Sequence, residues 1–267
     1  AKGELEKSLA AQGVNIKWVE FPAGPQLLEG LNVGSVVFGE AGEAPPIFAQ
    51  AAGADLVYVG VEPAKPKAEV ILVPENSEIK SVADLKGHKV AFQKGSSSHI
   101  LLLRALQEAG LKFTDIQPVY LTPADARAAF QQKNVDAWAI WDPYTALAQN
   151  QLKVRTVVTA ESVTNGYGFG IASVAALQDA KRNSALADFV QRVARASLWA
   201  KDHPDEWYQK YAAAIGIDPQ VARVAQSRSL RLPIPINDAV IASEQQLADA
   251  FTQSGQIDHK TTFSQFV

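Results

Sequence analysis

The chain has 267 residues, of which 47% are hydrophobic and 20% are charged, and its net charge at pH 7 is −3. These values indicate a globular chain with one large domain or two medium ones, and they exclude intrinsic disorder. The acidic balance argues against nucleic acid as a partner, and the lack of cysteine excludes disulfides, thiolate metal sites and cysteine nucleophiles. No apolar run approaches the length of a membrane span.

Apolar runs broken by glycine and proline alternate with amphipathic segments along the chain. The predicted strands cover residues 14–21, 36–38, 55–61, 69–73, 89–92, 136–140, 154–158 and 167–173. The predicted helices cover 45–52, 98–109, 123–132, 184–203, 204–215, 218–229 and 237–254, with a further helix starting at Pro25. Alternating strands and helices followed by a helical tail indicate an α/β protein with mainly parallel sheets.

The most informative segment is a polar turn between a strand ending at Phe92 and a helix starting near Ser98. Backbone N–H groups in the first turn of a helix lack partners and carry partial positive charge, so they attract an anion. The hydroxyls of Ser96, Ser97 and Ser98 add further donors. The turn therefore predicts an anion site, although the same serines also suit an ordinary helix cap.

Three other strand-to-helix turns, at 21–25, 39–46 and 140–145, are predicted to meet this one. Ligands bind outside the carboxyl ends of strands in open α/β sheets, and two facing lobes would bring such turns together in a cleft. Trp141 and Tyr144 offer flat walls for a ligand, although Trp141 also suits an ordinary core position. Asp142 is either a ligand contact or a cap for the helix that Pro143 begins.

Five segments together resemble the aliphatic sulfonate-binding periplasmic proteins, soluble receptors of ABC importers that are related to taurine, nitrate and thiamin-precursor receptors. They read FPAGPQ at 21–26, PPIFAQAAG at 45–53, DLKGHKVA at 84–91, KGSSSH at 94–99 and VDAWAIWDPY at 135–144. The resemblance is close over about residues 5–145 and extends to the helical tail only in general pattern.

This resemblance implies a type II two-lobe binding protein, each lobe a mixed sheet flanked by helices, joined by two crossing strands. The first lobe would take residues 1–76 and 173–267, and the second lobe residues 77–172. The sulfonate would lie in the cleft between them, and no cofactor or metal is expected. The expected ligand-binding residues are Gly42, Glu43, Gly95, Ser96, Ser97, Ser98, His99, Trp141, Asp142 and Tyr144.

Two departures from the family pattern bear on these expectations. Ala41–Gly42–Glu43 stands where relatives commonly have Thr-Gly-Asp or Ser-Gly-Asp, so Glu43 should either favour ligands with an amine or hydroxyl or point away into the lobe. The family also begins with a strand and a ligand loop, whereas this sequence begins at Ala1 in helix-like residues with no signal peptide. We therefore expect the natural protein to have such a strand before Ala1.

The expected function is capture of an aliphatic sulfonate in the periplasm for uptake as a sulfur source, with a membrane permease as partner and a monomeric chain. The alternative ligands are taurine, nitrate and a sulfate ester. A same-fold enzyme is the remaining alternative, but the enzymes of this fold rely on cysteine. The four histidines, His88, His99, His203 and His259, are scattered and form no metal-ligand spacing; His99 could either donate to an anion or lie solvated in the first helical turn.

Overall fold

The computed structural model describes residues 3–229, 232–258 and 261–267, apart from the side chain of Ser162, so His259 and Ala1 lie outside the described residues. The helices in these ranges are α1 Glu4–Ala10, α2 Gly24–Asn32, α3 Ala44–Ala51, α4 Ser97–Glu108, α5 Pro123–Gln131, α6 Tyr144–Gln151, α7 Val174–Gln178, α8 Ala180–Asp202, α9 Pro204–Ile215, α10 Pro219–Ser227 and α11 Asp238–Gln253. The strands are β1 Phe38–Gly42, β2 Leu56–Glu62, β3 Glu69–Pro74, β4 Lys89–Phe92, β5 Gln117–Tyr120, β6 Ala137–Trp141, β7 Val154–Thr159 and β8 Gly168–Ser173.

The strands form two sheets, which confirms the two-lobe α/β fold. The first sheet has the order β1-β8-β2, and the second has the order β5-β4-β6-β3-β7. The chain passes from the first sheet to the second between β2 and β3, and it returns between β7 and β8. Residues 63–68 and 160–167 are therefore the two connections between the lobes.

The sheets are mixed, and the expectation of mainly parallel sheets is wrong for the described strands. Strand β4 runs parallel to β5 and β6, but the other four pairings are antiparallel, and each of these involves β3 or β8. These two strands are the ones that have just arrived from the other sheet. Crossing between lobes therefore reverses one strand in each sheet.

The strands are divided between the two sheets differently from the division that the expected lobe boundaries imply. Strand β3, expected in the first lobe, pairs in the second sheet, and β8, expected mostly in the second lobe, pairs in the first sheet. We propose boundaries inside the two connections, because the chain leaves one sheet and enters the other there. The tail also crosses these boundaries, since Val221 and Ala225 of α10 pack against Ala146 of α6.

The strand predicted at 14–21 is wrong. These residues form no strand, and the Trp18 side chain is 62% exposed. An apolar alternation becomes a strand only when a neighbouring strand supplies hydrogen-bond partners, and no described strand pairs with this segment. The other predicted strands are confirmed to within a few residues, and the second of them is shifted towards Gly42.

One apolar cluster spans both lobes and positions the site. It unites Ile47 of α3 and Phe251 of α11 with Ile100 and Leu103 of α4. Separate clusters fill the two sheets. Among the described helices, none is both long enough and apolar enough to cross a membrane.

Candidate functional site

The start of α4 has the strand–turn–helix geometry that the sequence predicts. Strand β4 ends at Phe92, and Ser96 lies in extended conformation (φ −92°, ψ 174°) immediately before the helix. Gly95 adopts a φ of +75°, in the region that glycine tolerates without strain. The turn brings Ser96, Ser97 and Ser98 into the interior, where each is at most 8% exposed.

The three serine hydroxyls have different partners. Ser96 Oγ donates to the carbonyl of Gln93 at 2.7 Å and lies 2.8 Å from Ser98 Oγ. Since the single Ser96 proton is used on Gln93, the Ser98 hydroxyl donates to Ser96. The Ser97 hydroxyl instead bonds the carboxyl of Glu69. The hydroxyl of Ser98 therefore serves the turn, and that of Ser97 faces the start of β3.

The backbone at this helix start is suited to an anion. Among the described residues, the amide N–H groups of Ser97 and Ser98 have no hydrogen-bond acceptor, whereas the N–H of Gly95 donates to His99 and that of Ser96 donates to Gln93. Two buried amide donors aligned with the dipole of a twelve-residue helix form a site for a negatively charged oxygen.

Turns from the first lobe approach this helix start directly. A Cβ added at Gly42 would lie 3.2 Å from Ser97 Cβ, and one at Gly95 would lie 3.6 Å from Pro25 Cγ. A Cβ at Gly24 would in turn lie 2.6 Å from Pro45 Cγ. The predicted meeting of the turns 21–25, 39–46 and 92–98 is therefore present in the structure.

Glu43 is buried and bonds one of the two connections between the lobes. Its side chain is 2% exposed, and its Oε2 accepts the N–H of Gly166, in the second connection between the lobes, at 3.2 Å. Burial, followed by repulsion from Glu69, raises the pKa of Glu43 to about 8. A role of Glu43 in selecting ligands with an amine or hydroxyl stays a prediction.

Further buried charges surround Glu43, and sequence patterns gave no signal for them. Glu244 of α11 is fully buried, and burial and then the nearby Glu43 raise its pKa. Burial likewise raises the pKa of Glu69, although the Ser97 hydrogen bond and the charge of Lys65 oppose the rise. Glu43 and Arg104 line a polar cavity of about 250 Å³. These side chains come from separate elements, so their proximity follows only from the tertiary fold.

The turn at 140–145 joins the site through β3. Trp141 pairs with Glu69 in the sheet, and the N–H of Asp142 donates to the carbonyl of Ala68 at 2.8 Å. Asp142 Oδ1 accepts the N–H of Ala146 at 3.0 Å, which supports its capping role. Burial raises the pKa of Asp142 to about 6, while Arg228 lies 3.6 Å away and opposes the rise.

Trp141 and Tyr144 are both half-buried. Their rings are nearly perpendicular, with centroids 6.5 Å apart, and both pack against the core cluster of the second sheet. Each ring therefore contributes to the core while part of it stays accessible. That the rings of Trp141 and Tyr144 contact a ligand stays a prediction.

His99 contradicts the expectation of a solvated first-turn residue. It is fully buried, and its Nδ1 already accepts the N–H of Gly95 at 3.2 Å. Phe92 and Phe48 stack beside the ring. An imidazole enclosed in this way is not placed to donate to an anion in the cleft, because aromatic side chains and the turn itself surround it.

Comparison with known proteins agrees with this geometry. The NMT1/THI5 like family matches residues 9–207. A protein of Escherichia coli (strain K12) named as an aliphatic sulfonates-binding protein is 55% identical over 255 residues, covering 94% of this chain and 78% of that protein.

Two solved structures are also similar. The alkanesulfonate-binding protein SsuA from Xanthomonas axonopodis pv. citri bound to MOPS is 40% identical with a TM-score of 0.89, covering 100% of this chain and 95% of that chain. The periplasmic aliphatic sulphonate binding protein SsuA from Escherichia coli is 50% identical with a TM-score of 0.82, covering 98% and 87% of the two chains. The chain therefore belongs to the NMT1/THI5 like family and, within it, to the aliphatic sulfonate-binding proteins.

Proposed function

We propose that this protein captures an aliphatic sulfonate in the cleft between its lobes and delivers it to the permease of an ABC importer. Membership of the aliphatic sulfonate-binding proteins and the similarity to SsuA structures support this proposal. The similar Escherichia coli structure is that of a periplasmic protein, which supports the proposal that this protein also acts in the periplasm. The partners are then a small organic sulfonate and a membrane permease, and the protein works as a monomer.

The observation that carries the proposal is the pair of buried N–H groups at Ser97 and Ser98. They have no acceptor among the described residues, and Gly42 of the other lobe approaches them without a side chain. A sulfonate presents three oxygens that share one negative charge, so it can accept from several donors at once. A ligand held there would contact both lobes and would stabilise the closed arrangement.

The positive potential at the site comes more from the backbone dipoles at the start of α4 than from cationic side chains. The four turns contain no arginine. The one lysine among them, Lys94, is exposed, and its Nζ lies 5.5 Å from the centroid of the Tyr120 ring. The anion would therefore be held mainly by the backbone N–H groups of Ser97 and Ser98.

The proposal makes the protein a receptor and not an enzyme. The chain has no cysteine, the residue on which the enzymes of this fold rely. A receptor returns its ligand unchanged, so mass spectrometry of a sulfonate incubated with the protein should recover the starting compound. The second candidate is a receptor for another small anion, since a helix start also binds nitrate or a sulfate ester.

Two single substitutions test the site. Ser97→Pro removes one of the two free N–H donors at the first helical position, where proline is tolerated, and a hydrogen bond to a charged group contributes about 1.5–3 kcal/mol, or about 10- to 150-fold in affinity. Ser98→Ala is the matched control, because its hydroxyl serves Ser96 within the turn.

Calorimetry with 1-butanesulfonate should therefore show a large loss of affinity for Ser97→Pro. Ser98→Ala should lower the melting temperature and leave affinity within about threefold. Equal affinity of Ser97→Pro and the unaltered protein would contradict the site. A thermal-shift panel of alkyl sulfonates, taurine and nitrate then separates the candidate ligands.

A further inference from the structure

His99 lies at the centre of an aromatic cluster that both lobes contribute to. Its ring centroid is 5.1 Å from Phe92 and 5.4 Å from Phe113, which belong to the second lobe. It is 5.7 Å from Phe48 of α3 and 5.6 Å from Phe251 of α11, which belong to the first. The ring is therefore held from four sides by elements of both lobes.

The same ring forms one specific polar contact with the serine turn. The N–H of Gly95 donates to His99 Nδ1 at 3.2 Å. Since Nδ1 accepts, the imidazole proton lies on Nε2 and the ring is neutral. Gly95 has a φ of +75°, so this hydrogen bond fixes the residue at which the chain reverses towards the helix.

We propose that His99 is a positioning residue for the anion site. By accepting the Gly95 N–H from a fixed ring, it holds the turn in the shape that leaves the N–H groups of Ser97 and Ser98 free for one anion. Without this acceptor, the buried Gly95 N–H would need another partner, and the turn would rearrange to supply it. The inference rests on the proposed sulfonate function, and it adds a residue that touches no ligand.

The environment of the ring keeps Nδ1 free of a proton, so that it can accept the N–H of Gly95. Burial, and then the positive charge of Lys94, lower the pKa of His99 to about 4, with a weaker opposing contribution from the Gln256 side chain. The elements packed against the ring from β4, α3 and α11 present phenylalanines. Protonation at lower pH would place a proton on Nδ1 and remove the acceptor.

Two substitutions separate positioning from packing. His99→Asn keeps an acceptor near the Nδ1 position but loses the ring, whereas His99→Phe keeps an aromatic ring but loses the acceptor. If His99 positions the turn, calorimetry with 1-butanesulfonate should show that His99→Phe binds at least about tenfold more weakly than the unaltered protein. His99→Asn should bind within about threefold of the unaltered protein. A role in packing alone predicts instead that His99→Asn binds more weakly than His99→Phe. That result would overturn the proposal.

A pH profile of the unaltered protein tests the acceptor without a substitution. A sulfonate stays ionised between pH 7 and pH 4, so affinity should fall by about half as the pH reaches the pKa of His99 and further below it. His99→Asn should show no such fall, with folding verified by circular dichroism at each pH. A profile identical in both proteins would overturn the proposal. Failure of the unaltered protein to bind any sulfonate at pH 7 would instead contradict the proposed function.

Discussion

Glu43 provides a test of how burial controls the carboxyl groups of this protein. Its pKa is raised from 4.5 to about 8, mainly by burial, so the folded protein binds this proton more tightly than the unfolded chain does. Stability from this group is therefore complete below about pH 4.5 and is lost as the pH rises through about 8. At about 1.4 kcal/mol per pH unit, the loss is about 3 kcal/mol at pH 7 and about 5 kcal/mol above pH 8.

Glu43→Gln removes the titration while keeping the shape of the side chain. The amide oxygen can still accept the N–H of Gly166, and the amide stays neutral at every pH. We expect the free energy of unfolding to be about 3 kcal/mol higher than that of the unaltered protein at pH 7 and nearly equal at pH 4.5.

The assay is urea denaturation of ligand-free protein at pH 4.5, 7 and 8.5. Glu161→Gln is the matched control, because Glu161 lines the same cavity but its side chain is 57% exposed and pairs with Lys67 at the surface. Its effect should stay within about 0.5 kcal/mol at each pH. A destabilised Glu43→Gln at pH 8.5, or an effect that does not change with pH, would refute the argument that burial governs this carboxyl group.

Two further predictions concern ligand binding. Because the anion is held by buried dipoles, raising salt from low to near-molar concentration should weaken 1-butanesulfonate binding only mildly in a calorimetric titration, and a hundredfold loss would show that exposed charge such as Lys94 dominates. Gly42→Ala should weaken binding about tenfold, because the new methyl group would lie 3.2 Å from Ser97 Cβ and would oppose the close approach of the two lobes at the start of α4. Affinity equal to that of the unaltered protein would show that closure does not bring these residues together.

Local patterns in the sequence were sufficient to predict the local structure at the centre of the site. The glycine and serines between β4 and α4 predict a strand, a turn and a helix start, because chain reversal and capping depend on adjacent residues. The structure has this turn with Ser96 immediately before the helix. The meeting of the turn at 39–46 with this one also follows from a general rule, that such turns lie at the carboxyl ends of strands. The turn at 21–25 reaches the same place without a strand before it.

Features that depend on distant partners could not be predicted in this way. His99 looks solvated in sequence because it follows three serines, yet its ring is enclosed by Phe48 and Phe251, which are far away along the chain. Glu69 reads as the polar start of a strand, although the fold buries it against Ser97. The segment at 14–21 has strand-like alternation but no described pairing partner. In each case, tertiary contacts decide burial and pairing.

The helix that bears the anion site is also packed by the opposite lobe. Ile100 and Leu103 lie within the first three turns of α4 and share one apolar cluster with Ile47 of α3 and Phe251 of α11. Separating α4 from these helices would expose apolar surface at a cost of about 25 cal/mol per Å². The approach of Gly42 to Ser97 is therefore stabilised by the core as well as by an anion, so a ligand completes an arrangement that the apolar contacts already favour.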